Sequence, residues 1–183
     1  HRDPPYSLEF PFGGEATQGM ERFPYNTLNA ENPGISGFGD LYQNINQMNL
    51  FISRTLHTDV LTESARNYYL GQVYGLRAYY MYQLYRSWGD VVFTEEPSLG
   101  FEVGKLAKAA TPAAEIFEQV KKDIESSLSY FGSDYTIKEK KSLWSKAATL
   151  MLKADVYLWS AHRDGGEGDA RTAKNALVDI QNN

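Results

Sequence analysis

The residues best suited to binding chemistry lie near the start of the chain, where aromatic rings alternate with side-chain amides. Flat rings offer a face on which the C–H groups of sugars stack, and amides form hydrogen bonds with hydroxyls. Residues 1–40 also hold five of the seven prolines, which is typical of an irregular loop. Loops on a rigid scaffold often carry recognition sites. We therefore predict that the ligand-binding residues are Tyr6, Phe23, Tyr25, Asn26, Asn29 and Asn32.

These rings also have a structural interpretation, because aromatic side chains in a long loop commonly hold it against the rest of the protein. The residue types alone leave both interpretations open. A second aromatic segment raises the same question, since seven tyrosines lie between Tyr68 and Tyr85. Their helical spacing favours packing against neighbouring helices over a sugar-stacking platform.

The sequence offers no convincing arrangement of catalytic residues. A glycosidase needs two carboxylates about 5–10 Å apart across the scissile bond, which adjacent residues such as Glu95 and Glu96 rarely supply. Asp90 follows Trp88-Gly89, and we expect it to cap or brace that turn. The chain has no cysteine, which excludes a disulfide framework, a cysteine-ligated zinc site and a cysteine nucleophile. We predict no catalytic residue and no enzyme activity.

Metal binding is not indicated either. His57 with Asp59 and His162 with Asp164 lack the helical spacing of metal ligands. No glycine-rich phosphate loop is present, because the glycines at 165–168 lack the accompanying Lys and Ser or Thr. We predict no metal and no cofactor.

The composition is that of an ordinary globular domain. The 183 residues are 42% hydrophobic and 22% charged. A net charge of −5 argues against a nucleic-acid partner, which would require a basic face. No run approaches the roughly 18 apolar residues of a membrane span. The chain begins without Met and ends within a helical pattern, so we expect a piece of a longer protein.

Periodic apolar residues and capping signals predict five helices after the loop region. We expect Asp40, Thr62, Thr111 and Ser142 to act as N-caps, with Pro112 at the first helical position after Thr111. The predicted ranges are 40–56, 62–87, 111–131, 142–161 and 169–181.

The predicted buried faces combine large and small side chains. Gly71, Gly75 and Ala78 would let another helix approach closely. The predicted faces also include Ile45, Met48, Ile52 and Leu56 in the first helix, Tyr69, Val73, Leu76 and Tyr80 in the second, Met151 and Leu158 in the fourth, and Leu177 in the fifth.

The last two predicted helices are joined by a glycine-rich turn at 165–168. Short turns between helices that alternate small and large residues are typical of tetratricopeptide-like stacking. We predict an all-α fold of stacked helical hairpins over 41–183, with an irregular loop region over 1–40 packed on the helices.

Several segments then resemble, in order, those of a known family. Leu41–Asn49 resembles the "LY..I...N" helix of SusD/RagB-type lipoproteins, and Leu70–Asp90 is similar to that family's "LRAYYYF.L.R.WGDVP" run. Residues 111–128 resemble its "T..EIF..V..DIE.SL" helix. The run WSKAA at 144–148 and the pattern "A.NAL.DI" at 173–180 follow in the family's order. One departure is Val92, which replaces the family's usual proline.

The resemblance implies a tetratricopeptide-like part of a larger, non-enzymatic lipoprotein. Such proteins are lipid-anchored at the outer face of the outer membrane, where they capture oligosaccharides or other nutrients for a TonB-dependent SusC-like transporter. The resemblance places the signal peptide and the lipidated cysteine upstream of His1. It also implies that the loop before the "LY..I" helix contributes to the ligand pocket.

Two other classes remain open. A helical-repeat adaptor would bind a protein instead of a sugar. A piece of an all-helical glycoside hydrolase would need acid and base carboxylates on loops across one cleft. Neither alternative accounts for the ordered matches between Leu41 and Ile180.

Overall fold

The computed structural model describes residues 38–100 and 108–183. The six predicted ligand residues, together with the rest of segment 1–37, lie outside these ranges. Within the described residues, Leu41–Asn183 form one compact unit. Its helices are α1 (Gly39–Leu56), α2 (Glu63–Trp88), α3 (Ala113–Phe131), α4 (Lys146–Ser160) and α5 (Gly166–Asn182). A 3-10 turn at Glu139–Lys141 precedes α4, and a π-helical turn at Ala161–Gly165 joins α4 to α5.

Successive helices from α2 to α5 pack antiparallel. Ser127 near the end of α3 bonds to the carbonyl of Gly71 near the start of α2. At the opposite ends of the two helices, the rings of Tyr85 and Phe117 lie 4.9 Å apart. The first residue of α4, Lys146, shares a groove with Asp179 near the end of α5. This arrangement confirms the all-α fold of antiparallel hairpins.

The main core lies where α2, α3 and α4 meet. Fully buried members come from all three helices and include Leu84, Met81, Ile116, Val120, Ile124 and Val156. Burying each such side chain contributes about 1.5–3 kcal/mol relative to exposure. A second, smaller cluster joins α4 to α5 through Leu150, Ala154, Ala173 and Ala176.

Two glycines of α2 permit the close approach of neighbouring elements, as predicted. A Cβ at Gly71 would stand 2.9 Å from the ring of Phe131. At Gly75 it would overlap the indole of Trp144 and approach the hydroxyl of Thr149. Larger residues at either position would separate α2 from the end of α3 or from α4.

The ends of α2 follow the predicted signals. The hydroxyl of Thr62 accepts a hydrogen bond from the amide of Ala65 at 3.3 Å. Gly89 ends the helix with φ of 73° and donates its N–H to the carbonyl of Tyr85. A left-handed C-terminal residue of this kind favours glycine.

Three other predicted caps are wrong. Asp40 lies inside the first turn of α1. Thr111 makes a backbone bridge to Val91. Pro112 is the N-cap of α3, with an extended ψ of 141°, so the helix starts one residue later than predicted. The N-cap of α4 is Ser145, whose hydroxyl accepts from the amide of Ala148, while Ser142 ends the preceding 3-10 turn.

The predicted buried faces are only partly correct. Ile45 and Ile52 of α1 are buried as expected, but several predicted core residues are exposed because their helices turn a different face to the neighbours. These residues are Leu56, Tyr69, Met151, Leu158 and Leu177. The predicted turn at 165–168 is a π-helical turn followed directly by α5, with the reversal at Gly166, where φ is 56°.

Candidate functional site

A small cleft opens between α1 and the segment 91–98, which connects α2 towards α3. Its volume is about 290 Å³. Two rings, several amides and hydroxyls, and one ammonium group line it. The lining residues are Tyr42, Gln43, Ile45, Asn46, Asn49, Val92, Phe93, Thr94, Ser98 and Lys108.

One face of α1 forms the first wall of the cleft. Tyr42, Asn46 and Asn49 lie four and three positions apart, so they share that face of the helix. Ile45 points into the core beside them and is 4% exposed. The apolar anchor therefore fixes the rotation of α1 that presents the two asparagines to segment 91–98.

The two asparagines fasten segment 91–98 to α1. Asn46 donates from Nδ2 to the carbonyl of Ser98 at 3.3 Å and accepts the amide of Ser98 at 2.7 Å. Asn49 donates from Nδ2 to the carbonyl of Thr94 at 2.6 Å. Backbone groups of an irregular segment are thereby satisfied by side chains.

A buried arginine holds Asn49 in place. Arg77 of α2 is 2% exposed, and its Nη1 donates to Asn49 Oδ1 at 2.8 Å. Its Nε and Nη2 donate to the two carboxylate oxygens of Asp123 on α3, each at 2.7 Å. This bidentate pairing satisfies both ions and gives the arrangement a defined geometry. The hydrogen bonds therefore run from α3 through α2 and α1 to Thr94.

The electrostatics of Asp123 reflect two opposing effects. Burial raises the pKa of the Asp123 carboxyl, while the hydrogen bond from Arg77 acts against that rise. Gln119 on the same helix donates to Asp123 Oδ1 at 2.9 Å. The carboxylate is thus fully occupied by donors and is not available to a ligand.

Glu95 ties the outer part of the segment to α3. Its Oε1 accepts from Gln119 Nε2 at 3.0 Å and from Lys122 Nζ at 3.2 Å. Arg77 Nη2 lies 3.6 Å from the same oxygen. The structure therefore places Glu95 in a structural ion cluster with Lys122 and Arg77.

The groups left for a ligand are rings and exposed polar ends. Tyr42 stays a neutral phenol at ordinary pH, because burial raises its pKa more than a hydrogen bond with the backbone of Val92 lowers it. Phe93 forms the other aromatic wall, with the Arg77 guanidinium 5.9 Å from its ring centroid. Gln43 and Lys108 are exposed at the rim. Rings with amides and an ammonium suit a polyhydroxylated ligand better than an apolar one.

A second groove is larger and mostly apolar. It has a volume of about 600 Å³ and lies between the end of α1 and residues 58–61. Leu50, Phe51 and Val60 line it, and Arg54 lies at its edge. Fewer polar groups converge there than in the first cleft, so the smaller cleft is the stronger candidate.

Residues considered for metal binding have other surroundings. His57 Nδ1 lies 2.7 Å from the carbonyl of Ser53. Over residues 38–100 and 108–183, no three His, Cys, Asp or Glu side chains are grouped so as to hold a metal ion. No helix in this part of the chain is both long and apolar enough to cross a membrane.

The sequence interpretation missed every member of this cleft. The predicted ligand residues lie outside the described ranges, so the structure neither joins nor separates them. A usable signal was nevertheless present for the residues that support the cleft, because Asn49, Arg77 and Asp123 are each a polar letter of a different motif that carries the family resemblance. In the structure these three side chains bond to one another.

Comparisons with known proteins agree with this architecture. A family model described as starch-binding and associating with the outer membrane matches residues 22–158. SusD-like protein P38 of Formosa agariphila is 34% identical over 113 residues, which are 60% of this chain and 20% of that protein.

Two solved structures are more similar. A SusD superfamily protein from Bacteroides vulgatus shares 50% identity with a TM-score of 0.82, over 93% of this chain and 34% of that chain. B. fragilis NanU shares 52% identity with a TM-score of 0.83, over 94% of this chain and 34% of that chain. This chain therefore spans about a third of the length of these solved relatives.

The antiparallel helical hairpins and the cleft beside α1 define an all-α scaffold. With a family model covering residues 22–158, the chain belongs to the SusD-like family, whose description links it to starch binding and the outer membrane. The family is one of binding proteins, in agreement with the prediction that the chain is not an enzyme.

Proposed function

We propose that this chain is part of a surface lipoprotein that captures oligosaccharides and passes them to a TonB-dependent SusC-like transporter. The observation that carries the proposal is the family match over residues 22–158, whose description names starch binding and the outer membrane. The mechanism is binding through ring stacking and hydrogen bonds to hydroxyls, with no bond made or broken.

The cleft beside α1 supports glycan binding because its chemistry fits and its walls are held rigidly. Tyr42 and Phe93 offer aromatic surface, while Gln43 and Lys108 offer polar ends at the rim. The buried Arg77–Asp123 pair holds the segment that carries Phe93, so the site is largely formed before the ligand arrives. A preformed site loses less conformational entropy on binding.

The N-terminal rings remain part of the proposal. Tyr6, Phe23, Tyr25, Asn26, Asn29 and Asn32 are proposed to add stacking and hydroxyl contacts to the same ligand class. Their assignment as ligand residues is based on residue type and on the family resemblance. They must therefore be tested separately from the cleft.

The test is glycan binding by the longer protein that contains this chain, measured by calorimetry against soluble starch and against a β-linked glucan. Gln43→Ala and Lys108→Ala remove exposed cleft groups at little structural cost. We expect each to weaken binding about threefold or more, as loss of one ligand hydrogen bond implies. Tyr25→Ala tests the N-terminal region in the same assay.

Tyr69→Ala is the matched control, because that exposed ring does not line the cleft. If all cleft variants keep the original affinity, the cleft is not the glycan-binding site. If Tyr25→Ala and the other N-terminal variants keep it, the N-terminal residues do not contact the glycan. Binding to no glycan of either class would reject starch-like glycan capture itself.

The transporter and the lipid anchor need their own test. Purification of the longer protein from outer membranes should recover a TonB-dependent transporter in fixed stoichiometry, and the N-terminal residue of the mature protein should be a lipidated cysteine. A protein recovered alone and without lipid would contradict this part of the proposal.

A further inference from the structure

A cationic aromatic patch lies where the C-terminal ends of α2 and α4 meet. We call it the Trp159 patch, and it consists of Tyr82, Arg86, Trp159 and Arg163. The guanidinium of Arg86 lies 4.9 Å from the Trp159 ring centroid, and that of Arg163 lies 5.5 Å from it. Tyr82 meets the indole edge to face, with ring centroids 6.4 Å apart.

The positive charge of this patch is poorly compensated. Arg86 has one carboxylate nearby, Asp155 at 3.8 Å, and the two side chains are 41% and 58% exposed. An exposed pair at that distance contributes little. Arg163 is exposed and has no carboxylate within 4 Å among the described residues. Two cations therefore face solvent in a chain whose net charge is −5.

The patch also contains two buried donors without an acceptor. The hydroxyl of Tyr82 and the indole Nε1 of Trp159 have no hydrogen-bond partner within the described part of the chain. Tyr82 itself is fully buried. Nearly all buried polar groups in folded proteins are paired, so these two donors leave uncompensated O–H and N–H dipoles beneath the patch.

We propose that the Trp159 patch docks an acidic segment of a partner protein, with carboxylates bound between Arg86 and Arg163. The residue types are those that dominate binding energy at protein interfaces, namely Trp, Tyr and Arg. A sugar fits less well, because guanidinium groups already lie over the indole on which it would stack.

The position of Arg163 supports a docking role. It lies in the π-helical turn at Ala161–Gly165, and short π-helical turns within helices occur frequently at functional sites. The patch shares no residue with the cleft beside α1. Tests of glycan binding and tests of the Trp159 patch are therefore independent of each other.

The experiment uses a fluorescently labelled hexaglutamate peptide, with hexaglutamine as the uncharged probe, and measures anisotropy at low salt. We expect saturable binding of hexaglutamate only. Arg163→Gln should weaken it about fivefold or more, since a charge-assisted hydrogen bond is lost. Asp155→Asn should strengthen it, because the one carboxylate that competes for Arg86 is removed.

Two exposed residues outside the patch provide controls of equal charge change. Arg171→Gln matches Arg163→Gln, and Glu115→Gln matches Asp155→Asn. If a control changes the affinity as much as its patch counterpart, binding is only a response to net charge and the proposal fails. Acetate at the same carboxylate concentration must not displace the peptide, since displacement would indicate a small-anion site instead.

Indole N–H resonances give a second readout within the same protein. The peptide should shift the Trp159 Nε1–H signal, because carboxylates bound to Arg86 and Arg163 change the electric field at the indole. Trp144 Nε1 already donates to Thr149 at 2.8 Å, so its signal should stay in place. A shift confined to other residues, or no shift at saturating peptide, would overturn the assignment to this patch.

Discussion

At the scale of single residues, the Arg77–Asp123 pair is the most consequential contact, because both charges are almost completely removed from water. Arg77 is 2% and Asp123 1% exposed. We expect Arg77→Met to lower the free energy of unfolding by about 3–5 kcal/mol, since it leaves Asp123 buried and without its counter-charge. Urea denaturation measures this change.

Two further variants separate pairing from charge removal in general. Arg54→Met removes an exposed arginine of α1 and should cost less than about 0.5 kcal/mol. The double variant Arg77→Met with Asp123→Leu removes both buried charges and should recover much of the lost stability. If Arg77→Met cost no more than Arg54→Met, the pair would have no structural role.

Removing the unpaired hydroxyl of Tyr82 should stabilise the protein, in contrast to Arg77→Met. Burial raises the pKa of this phenol, and no acceptor in the described residues offsets the cost. We therefore expect Tyr82→Phe to raise the free energy of unfolding of the free chain by about 1 kcal/mol.

Tyr135→Phe is the comparison for Tyr82→Phe. The Tyr135 hydroxyl donates to Asp179 Oδ1 at 2.6 Å, so its loss should lower the free energy of unfolding by about 1 kcal/mol. The two substitutions remove the same atom from the same residue type. A stability loss in Tyr82→Phe equal to that in Tyr135→Phe would contradict the absence of a partner at Tyr82.

At the scale of elements, the start of α3 depends on a residue outside the helix. Asp90 Oδ1 accepts the amide of Ala113 at 2.8 Å, from the turn that follows α2. We expect Asp90→Ala to lower the free energy of unfolding by about 1 kcal/mol, as loss of an N-cap does. It should also speed amide hydrogen exchange in the first turn of α3. The contact joins the end of α2 to the start of α3, so one substitution loosens both.

Thr111→Ala provides the matched control for Asp90→Ala. The sequence pattern predicts Thr111 as the cap, but among the described residues its hydrogen bonds come from the backbone alone, which bridges to Val91 at 2.9 and 3.2 Å. We therefore expect Thr111→Ala to change the free energy of unfolding by less than about 0.5 kcal/mol. Greater destabilisation by Thr111→Ala than by Asp90→Ala would restore the sequence-based assignment of the cap.

These caps illustrate which parts of the structure can be predicted from the sequence. Helix ranges follow from neighbouring residues, and Thr62, Gly89 and the apolar spacing of α1 predicted α1 and α2 within one residue at each end. By contrast, α4 starts four residues later and α5 three residues earlier than predicted. Burial of Arg77 depends on Asn49 and Asp123, which are 28 and 46 residues away, so helical periodicity does not reveal it. The cleft was missed for the same reason, since its walls are joined only by tertiary contacts.

Helix α2 shows why the predicted buried face failed. Sequence periodicity assumes one apolar stripe on each helix. This helix contacts α3 through Gly71, α4 through Gly75 and α1 through Arg77, so buried residues occur around most of its circumference. Tyr69 lies on the remaining exposed side, against Phe51.

At the scale of the whole molecule, stability is unevenly distributed between the two hydrophobic clusters. The larger cluster draws on α1, α2, α3 and α4, whereas the smaller one holds α5 to α4. Only Ala173 and Ala176 of α5 are buried, against eight residues of α2. Small side chains bury little apolar area, so α5 has the weaker attachment.

We therefore expect α5 to open before the other helices. Under native conditions, amide hydrogens of α5 should exchange with a lower free energy of opening than those in the middle of α2, which should report global unfolding. Ala176→Gly should lower the α5 value by about 1 kcal/mol or more and leave the α2 value less affected, because glycine reduces both helix propensity and contact with Leu150. Equal exchange free energies in α2 and α5 would mean that the two clusters unfold as a single cooperative unit.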